Sequence, residues 1–338
     1  MMFGKSYTPF QNQILNALKL KEIETEFSNE IKHEELSPLF IPMEELELTE
    51  EEKKLLVQII FYHHERKDVN TDRKLIQEII QKDILPRYEE IKKETKLKLN
   101  SKPNTLWLKY VGNINRIKQG DKLYIEYCLL KGLLHKIDHS ASAGVQIEDT
   151  TTKDISVYTK DYIEKEYNLN KLQEFCEENQ DKNILVIGST GIGKTEAALI
   201  WSKNSKAFFT LPIRISINAI FDRIHNLIGY HNVGLLHSTS LDYLEEKETK
   251  EEMENSYEKY KQANQFSSKI TTCTIDQIFT FVFKFRGYEK IYAMLSYSKI
   301  VIDEIQGYSP EIVAVILKGL KMINDIRWKI YDNDSNFT

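Results

Sequence analysis

Residues 183–195 read Asn-Ile-Leu-Val-Ile-Gly-Ser-Thr-Gly-Ile-Gly-Lys-Thr, and the chain continues into Glu196-Ala197-Ala198-Leu199-Ile200. The apolar run Ile184–Ile187 has the composition of a buried parallel strand and stops at a glycine-rich turn. Gly188, Gly191 and Gly193 let the backbone curl, with Ser189 and Thr190 between them, so that successive N–H groups face one anionic group. Lys194 is placed to reach the β- and γ-phosphates of a nucleotide and Thr195 to hold Mg²⁺ through its hydroxyl, while the helix N-terminus adds its dipole. Strand, G-x-x-x-x-G-K-T turn and helix, in that order, specify a phosphate-binding loop.

A chain of 338 residues suffices for about two domains and a sizeable core. Its apolar and charged fractions exclude disordered, collagen-like and fibrous classes. The apolar runs Ile278–Phe283 and Ile312–Leu317 are too short to cross a bilayer, and Met1-Met2-Phe3-Gly4-Lys5 lacks a signal-peptide core. A cytoplasmic protein with no membrane partner is therefore expected. Cys128, Cys176 and Cys273 are far apart and show no C-x-x-C spacing, which suggests neither a disulfide framework nor a zinc site. A net charge of −5 argues against a generally basic nucleic-acid coat and leaves a local groove open.

Two regimes of periodicity divide the chain. Residues 11–100 repeat apolar positions at helical spacing, as in Leu55, Leu56, Ile59, Ile60 and again Leu75, Ile76, Ile79, Ile80. Thr49-Glu50-Glu51-Glu52 is a capping box that predicts a helix to about His64, a second helix is expected from Thr71-Asp72, and a third over Asp121–Ile137. Small residues Ser140–Gly144 and a polar, Thr-rich stretch follow. From Tyr162 onward, strand-like runs Ile184–Ile187, Ala207–Leu211, Val233–His237, Ile270–Thr274 and Lys299–Ile302 alternate with helical stretches, the pattern of a doubly wound parallel sheet. Residues 241–264 read as a charged, solvated helical insertion. The expected fold is an all-α domain over 1–150, a linker over 151–170 and an α/β P-loop domain over 171–338.

The strand Lys299-Ile300-Val301-Ile302 ends in Asp303-Glu304-Ile305-Gln306. Asp303 suits the Mg²⁺ shell and Glu304 suits polarisation of an attacking water, so these two and Lys194 are the candidate catalytic groups. Asp-Glu-Ile-Gln resembles the Asp-Glu-x-x box of superfamily 2 helicases. Leu211-Pro212-Ile213-Arg214 resembles that family's Leu-Pro-Thr-Arg motif, and Thr274-Ile275-Asp276-Gln277 its Thr-x-Asp-Gln motif. The resemblance implies that Arg214, Thr274, Asp276 and Gln277 contact a nucleic-acid backbone, a role that hydroxyl, amide and guanidinium groups fill without reading bases. Gln173 stands where such proteins place a glutamine that reads adenine, which completes an expected ATP site.

Eight histidines occur, and four lie in Lys32-His33-Glu34-Glu35, Tyr62-His63-His64-Glu65 and Lys136-Ile137-Asp138-His139. Imidazoles and a carboxylate gathered on helices can hold divalent metal ions and activate water for phosphodiester cleavage. A helical histidine domain ahead of a superfamily 2 motor resembles the CRISPR-associated helicase-nuclease of type I systems, most of all its subtype I-B branch. The resemblance implies an HD-type nuclease domain with a RecA-like helicase domain, a divalent transition metal besides ATP and Mg²⁺, single-stranded DNA as substrate and a crRNA-guided effector complex as partner. His33, His63, His64 and Asp138 match metal-binding positions of that family, and Lys5 matches the lysine of its His-Asp-x-Gly-Lys motif.

Two departures qualify the expected activity. The family's His-Asp pair falls on Met1 and Met2, so a weak or absent nuclease is expected. Where relatives carry a strand like Gly-Gly-Lys-Phe-x-Ile-Met-Thr-Ala-Thr-Leu-Pro, this chain reads Trp328-Lys329-Ile330-Tyr331-Asp332-Asn333-Asp334-Ser335-Asn336-Phe337-Thr338. The expectation is an N-terminal piece without a second RecA-like domain, able to bind nucleotide but not to translocate, because an arginine finger from across the cleft is worth about 10³-fold or more in rate. Other readings are a non-catalytic module that binds DNA or the effector complex, and a free-standing P-loop ATPase with a helical regulatory domain. Permitted codons for Trp328–Thr338, preceded by a GG that the Arg327 codon could supply and read in another frame, encode Gly-Gly-Lys-Phe-Met-Ile-Met-Thr-Ala-Thr-Leu. A frameshift near Arg327 is the resulting prediction, and a gene sequence whose shifted frame lacks that strand contradicts it.

Overall fold

The chain divides into two units, residues 1–135 and 136–338, each with hydrophobic core of its own. The computed structural model describes residues 5–28, 31–64, 72–95, 103–150, 153–247 and 253–333. The expectations about Met1, Met2 and the last five residues lie outside these. Among the described residues, no helix is long and apolar enough to cross a membrane.

Helical periodicity yields helices alone in the described part of the first unit: α1 (Thr8–Ala17), α2 (His33–Leu36), α3 (Glu50–Phe61), α4 (Arg73–Ile79), α5 (Tyr88–Thr95) and the start of α6 (Tyr124–Ala143). Helix α3 begins at its capping box, where the Glu52 N–H donates to Thr49 Oγ1 at 3.3 Å and the Thr49 N–H to Glu52 Oε2 at 2.8 Å. Asp72 caps α4 by accepting from the N–H groups of Lys74 and Leu75. Leu36, Phe40, Phe61, Ile76, Ile79, Ile80 and Ile84 form the core, each worth roughly 1.5–3 kcal/mol of burial. Gln58, fully buried on α3, donates to the carbonyls of Tyr110 and Asn115 and accepts from the Ile117 N–H, which fixes the last turn of α3 against that segment.

Helix α6 runs past the unit boundary, and α7 (Ile155–Ile163) follows within the stretch expected as a linker. Asp154 caps α7, and Ile155 is fully buried in the second core beside Leu199, Phe209 and Leu235. Further along come α8 (Lys171–Glu178), α9 (Lys194–Ser202), β1 (Ala207–Thr210), α10 (Arg214–Asp222), β2 (Val233–Leu236), α11 (Ser240–Glu245), α12 (Met253–Asn264), β3 (Ile270–Cys273), α13 (Ile275–Phe279), α14 (Tyr288–Ser296), β4 (Lys299–Ile302) and α15 (Pro310–Asn333). The sheet has four parallel strands in the order β2-β3-β1-β4, with Ala207 in register with both Ile270 and Lys299.

Two local readings need correction. Helix α12 is no solvated rim element: its Ala263 is fully buried against β2, and a Cβ added at Gly234 would meet the Ala263 Cβ at 3.0 Å. The run Ile184–Ile187 is not a buried strand. It joins no ladder among the described residues, and Leu185 and Ile187 are 86% and 93% exposed. Apolar composition demands burial only where a neighbouring strand closes over it, and β4 finds a described partner on its β1 side alone.

A buried polar centre lies at the amino ends of β1 and β3. The Glu148 carboxylate accepts from Lys136 at 2.9 Å, Lys206 at 2.6 Å and the Tyr297 hydroxyl at 2.6 Å. Lys206 also donates to the carbonyls of Phe266 and Ser268, and Lys290 to Gln265 Oε1. Burial pushes the ammonium groups of Lys206 and Lys290 each down to about 8. Burial also raises the Glu148 carboxyl, but Lys206 and Lys136 outweigh it and hold the group below the usual carboxylate range. Glu148→Gln leaves Lys136 and Lys206 without their anion, and an expected loss of about 3 kcal/mol is checked by urea denaturation. Because the folded pKa of Glu148 is lowered, its contribution is present above the ordinary carboxylate range and is lost as pH falls through the folded value. A loss of stability in Glu148→Gln that is the same at pH 7 and in acid would contradict this account.

Candidate functional site

Parallel strands point their carboxyl ends the same way, so the loops that follow them share one edge of the sheet. Beyond β1 comes Leu211-Pro212-Ile213 and then Arg214, the first residue of α10. His237 follows β2, Thr274 follows β3 and Asp303 follows β4. Sequence order thus scatters these residues over 90 positions, and topology returns them to one edge.

The glycine-rich loop 188–195 enters the same unit ahead of α9. Gly191 and Gly193 take left-handed φ values of 85° and 82°, which only glycine adopts freely. Lys194 and Thr195 open α9, with Gly193 at its cap position. The Lys194 ammonium donates to the Gly188 carbonyl at 2.9 Å and so folds back over the loop. Helix α8 braces the loop: Asn170 Nδ2 donates to the Ile192 carbonyl at 2.9 Å, and Gln173, 5% exposed, closes the α8 capping box by accepting the Asn170 N–H. A Cβ added at Gly193 would lie 2.6 Å from Gln173 Nε2. Ser189 and Thr190 are exposed in the turn between Gly188 and Gly191.

Asp303 is half-buried at the end of β4, and its N–H continues the ladder by donating to the Thr210 carbonyl. Burial raises its pKa, while the Glu304 N–H at 2.9 Å and the nearby Lys194 charge oppose that rise. An acid with an electrostatic hold on the loop lysine is suited to complete a cation site between them. Glu304 has φ 53°, a left-handed conformation rare outside glycine, and its exposed carboxylate accepts from the Gln306 amide. Gly307 lies against Pro212, where a Cβ would come within 2.9 Å of the ring, so the β4 and β1 loops pack directly on each other.

The remaining edge residues are polar and open to solvent. Arg214 donates to Ser238 Oγ at 2.9 Å, Thr274 stands at the N-cap of α13, and Gln277 donates to the Asp276 carboxylate at 2.9 Å. Sequence reading missed His237 between them. Its Nε2 lies 2.7 Å from Asn218 Oδ1, and its Nδ1 accepts from the Thr239 N–H at 3.3 Å, so it is the Nε2–H tautomer. Burial, then Arg214, lowers its pKa against the opposing charge of Asp276, which places the three in one electrostatic neighbourhood. The only early signal was its position at a strand end.

In the first unit His33, His63 and His64 come together. Their ring centroids are 5.6 Å (His33 to His63), 5.3 Å (His33 to His64) and 3.9 Å (His63 to His64) apart, and one ligand nitrogen from each lies within 4.8 Å of the others. His33 Nδ1 faces the buried Glu34 carboxylate at 3.2 Å, and His63 Nδ1 faces the Ile60 carbonyl at 2.7 Å. Both contacts place the proton on Nδ1 and the lone pair on Nε2, the tautomer a metal needs. The donor set therefore fits a divalent transition metal. His135 of the same unit, overlooked in the sequence, has its ring 5.9 Å from that of His64. Its i,i+4 spacing to His139 on one helix was the available signal. Asp138, expected with the histidines, is a buried residue of the second unit, and Lys5 is a described residue at the start of the first.

Gly193→Ala is expected to cost about 1–3 kcal/mol and weaken nucleotide binding, because strain at a positive φ adds to a clash with Gln173. At Gly191, where a Cβ meets nothing within 4 Å, alanine should cost less. Thermal melting with a fluorescent-nucleotide titration checks both, and equal effects would contradict the bracing role of Gln173.

Residues 170–330 match the DEAD/DEAH box helicase family model. The chain is 30% identical over 208 residues to the CRISPR-associated nuclease/helicase Cas3 of Methanothermobacter thermautotrophicus, covering 59% of this chain and 25% of that protein. A putative CRISPR-associated nuclease/helicase Cas3 of Methanocaldococcus jannaschii is 26% identical over 252 residues, covering 66% and 35%. The chain thus spans about a quarter to a third of the length of these relatives. Crystal structures of T. fusca Cas3 with AMPPNP and with ATP share the fold, with TM-scores of 0.57 and 0.58, at 15% and 14% identity over 96% of this chain and 42% of that one. Residues 170–330 are thus similar in sequence to DEAD/DEAH box helicases, and the chain shares the fold of T. fusca Cas3.

Proposed function

We propose that the chain belongs to a type I, subtype I-B-like CRISPR-associated helicase-nuclease with impaired activity, in which the second unit carries the ATP site of DNA unwinding and the first the metal site of DNA cleavage. The glycine-rich loop carries this reading: Lys194 folds back onto the Gly188 carbonyl at 2.9 Å, and its charge opposes the rise that burial imposes on the Asp303 carboxyl. Lys194, which donates to the Gly188 carbonyl, would meet the β- and γ-phosphates, and Thr195 with Asp303 would hold Mg²⁺, which when bound would neutralise phosphate charge. Glu304, projected by its left-handed backbone, orients the attacking water. Arg214, Thr274, Asp276 and Gln277 line the same edge and hold the backbone of single-stranded DNA. The crRNA-guided effector complex is the proposed recruiting partner.

In the first unit His33, His63 and His64 would hold a divalent transition metal, which when bound supplies an activated water for phosphodiester cleavage. Glu34 and the Ile60 carbonyl fix the two buried imidazoles in the ligating tautomer.

Saturable binding of a fluorescent ATP analogue with Mg²⁺ is expected, and Lys194→Ala should weaken it at least about tenfold, a difference of about 1.4 kcal/mol. Equilibrium dialysis against Mn²⁺ or Co²⁺ should retain metal on the unmodified chain and lose it in His63→Ala. Undiminished nucleotide binding by Lys194→Ala sinks the ATP site, and unchanged metal content in His63→Ala sinks the histidine site.

A further inference from the structure

Two phenylalanine rings stand in solvent where the same stretch otherwise buries its aromatic residues. Along Phe279-Thr280-Phe281-Val282-Phe283-Lys284-Phe285-Arg286-Gly287, Phe279 and Phe281 are 2% and 0% exposed, whereas Phe283 and Phe285 are 56% and 66% exposed. Helix α13 passes into a 3₁₀ turn, Thr280–Phe283, which ends at Lys284 with φ 52°. That left-handed conformation costs a non-glycine residue about 1–2 kcal/mol. The Lys284 N–H donates to the Phe281 carbonyl at 2.9 Å, and the Tyr288 N–H to the Phe285 carbonyl at 3.0 Å. Gly287, at φ 83°, then starts α14. The loop is thus anchored at both ends by hydrogen bonds, with its strained residue between the two rings.

The rings are neighbours, with centroids 5.8 Å apart and planes inclined by 33°. Lys284 lies between them in sequence and Arg286 follows. Burying each ring would be worth roughly 1.5–3 kcal/mol, and the turn forgoes that gain. An apolar protein surface would match the rings but has no use for cations alternating with them. A polyanion carrying flat apolar bases matches both features.

We propose that the loop Phe283–Arg286 is a stacking platform for single-stranded DNA: the two rings take base faces, and Lys284 and Arg286 take backbone phosphates. This rests on the reading of the second unit as a single-stranded DNA binder and extends its footprint. The platform terminates the segment that begins at Thr274, Asp276 and Gln277, so one run of chain, α13 and its 3₁₀ continuation, carries backbone contacts at one end and base contacts at the other. Stacking is indifferent to base identity, so the platform confers grip without sequence preference.

Fluorescence anisotropy of a labelled oligo(dT) with the 338-residue chain tests this. Phe283→Ala with Phe285→Ala should weaken binding about tenfold or more, and the corresponding pair of tryptophan substitutions should preserve it. Lys284→Ala with Arg286→Ala should lower the slope of log affinity against log salt by about two. Both rings are exposed, so an unchanged melting temperature in the alanine pair is expected and separates lost grip from unfolding. Unchanged affinity in the phenylalanine pair, while Arg214→Ala still weakens binding, overturns the platform and leaves the wider reading standing. Absence of oligo(dT) binding by the unmodified chain overturns both. Self-association that disappears in the phenylalanine pair, with DNA affinity intact, assigns the rings to contact between copies and also overturns the proposal.

Discussion

Everything at the candidate site depends on four strands running the same way. A parallel sheet places every strand's carboxyl end on one edge, and each crossover must return to the opposite edge before the next strand starts. Arg214, His237, Thr274 and Asp303 become neighbours for that reason, though their sequence context is unrelated. Gly307 also seats against Pro212, so the loops after β1 and β4 pack on each other, while the charges of Arg214 and Asp276 bear on His237 and that of Lys194 on Asp303.

The opposite edge is organised by charge. Lys136, Lys206 and Lys290 are all less than 10% exposed; the Glu148 carboxylate accepts from the first two and from the Tyr297 hydroxyl, and Gln265 Oε1 accepts from Lys290. Such a cluster survives because backbone carbonyls of Gln265, Phe266 and Ser268 share the lysine protons, so no ammonium relies on the carboxylate alone. It also ties the segment around Glu148 to the loop before β3, fastening the chain that leads out of α6 onto the sheet's amino edge. The specificity of that fastening comes from hydrogen-bond geometry, since lysines attached to greasy stems could otherwise slide along apolar surface.

Local chemistry was legible in the sequence and long-range partnership was not. Thr49 and Asp72 announced their helices because capping is decided within four residues. The strands β1 to β4 fall within one residue of the apolar runs that signalled them. The glycine-rich turn, Lys194 and Asp303 were likewise visible as motifs, and so were His33, His63 and His64, which lie together in the first unit, whereas Asp138 belongs to the second. His237 escaped notice because its partners Asn218, Arg214 and Asp276 lie 19 or more residues away. Glu148 escaped for the same reason, its lysines being spread from 136 to 206. The run Ile184–Ile187 shows the converse failure: its composition is that of an interior strand, but composition specifies only what a segment would gain from burial, not whether a neighbour is there to bury it.

That exposed run changes how nucleotide affinity is to be understood. The phosphate loop is held from one flank by Asn170 and Gln173 and from the other by α9, while the stretch leading into it has no ladder among the described residues. Ordering this stretch and gripping a phosphate then draw on a single free energy, the linkage by which a ligand at 100 times its Kd stabilises its bound conformation by about 2.7 kcal/mol. Measured affinity at such a site is intrinsic affinity multiplied by the fraction of molecules in which the loop is already shaped. A strand that paired with Ile184–Ile187 would raise that fraction, and so would act as a positive heterotropic effector of nucleotide binding without touching the nucleotide.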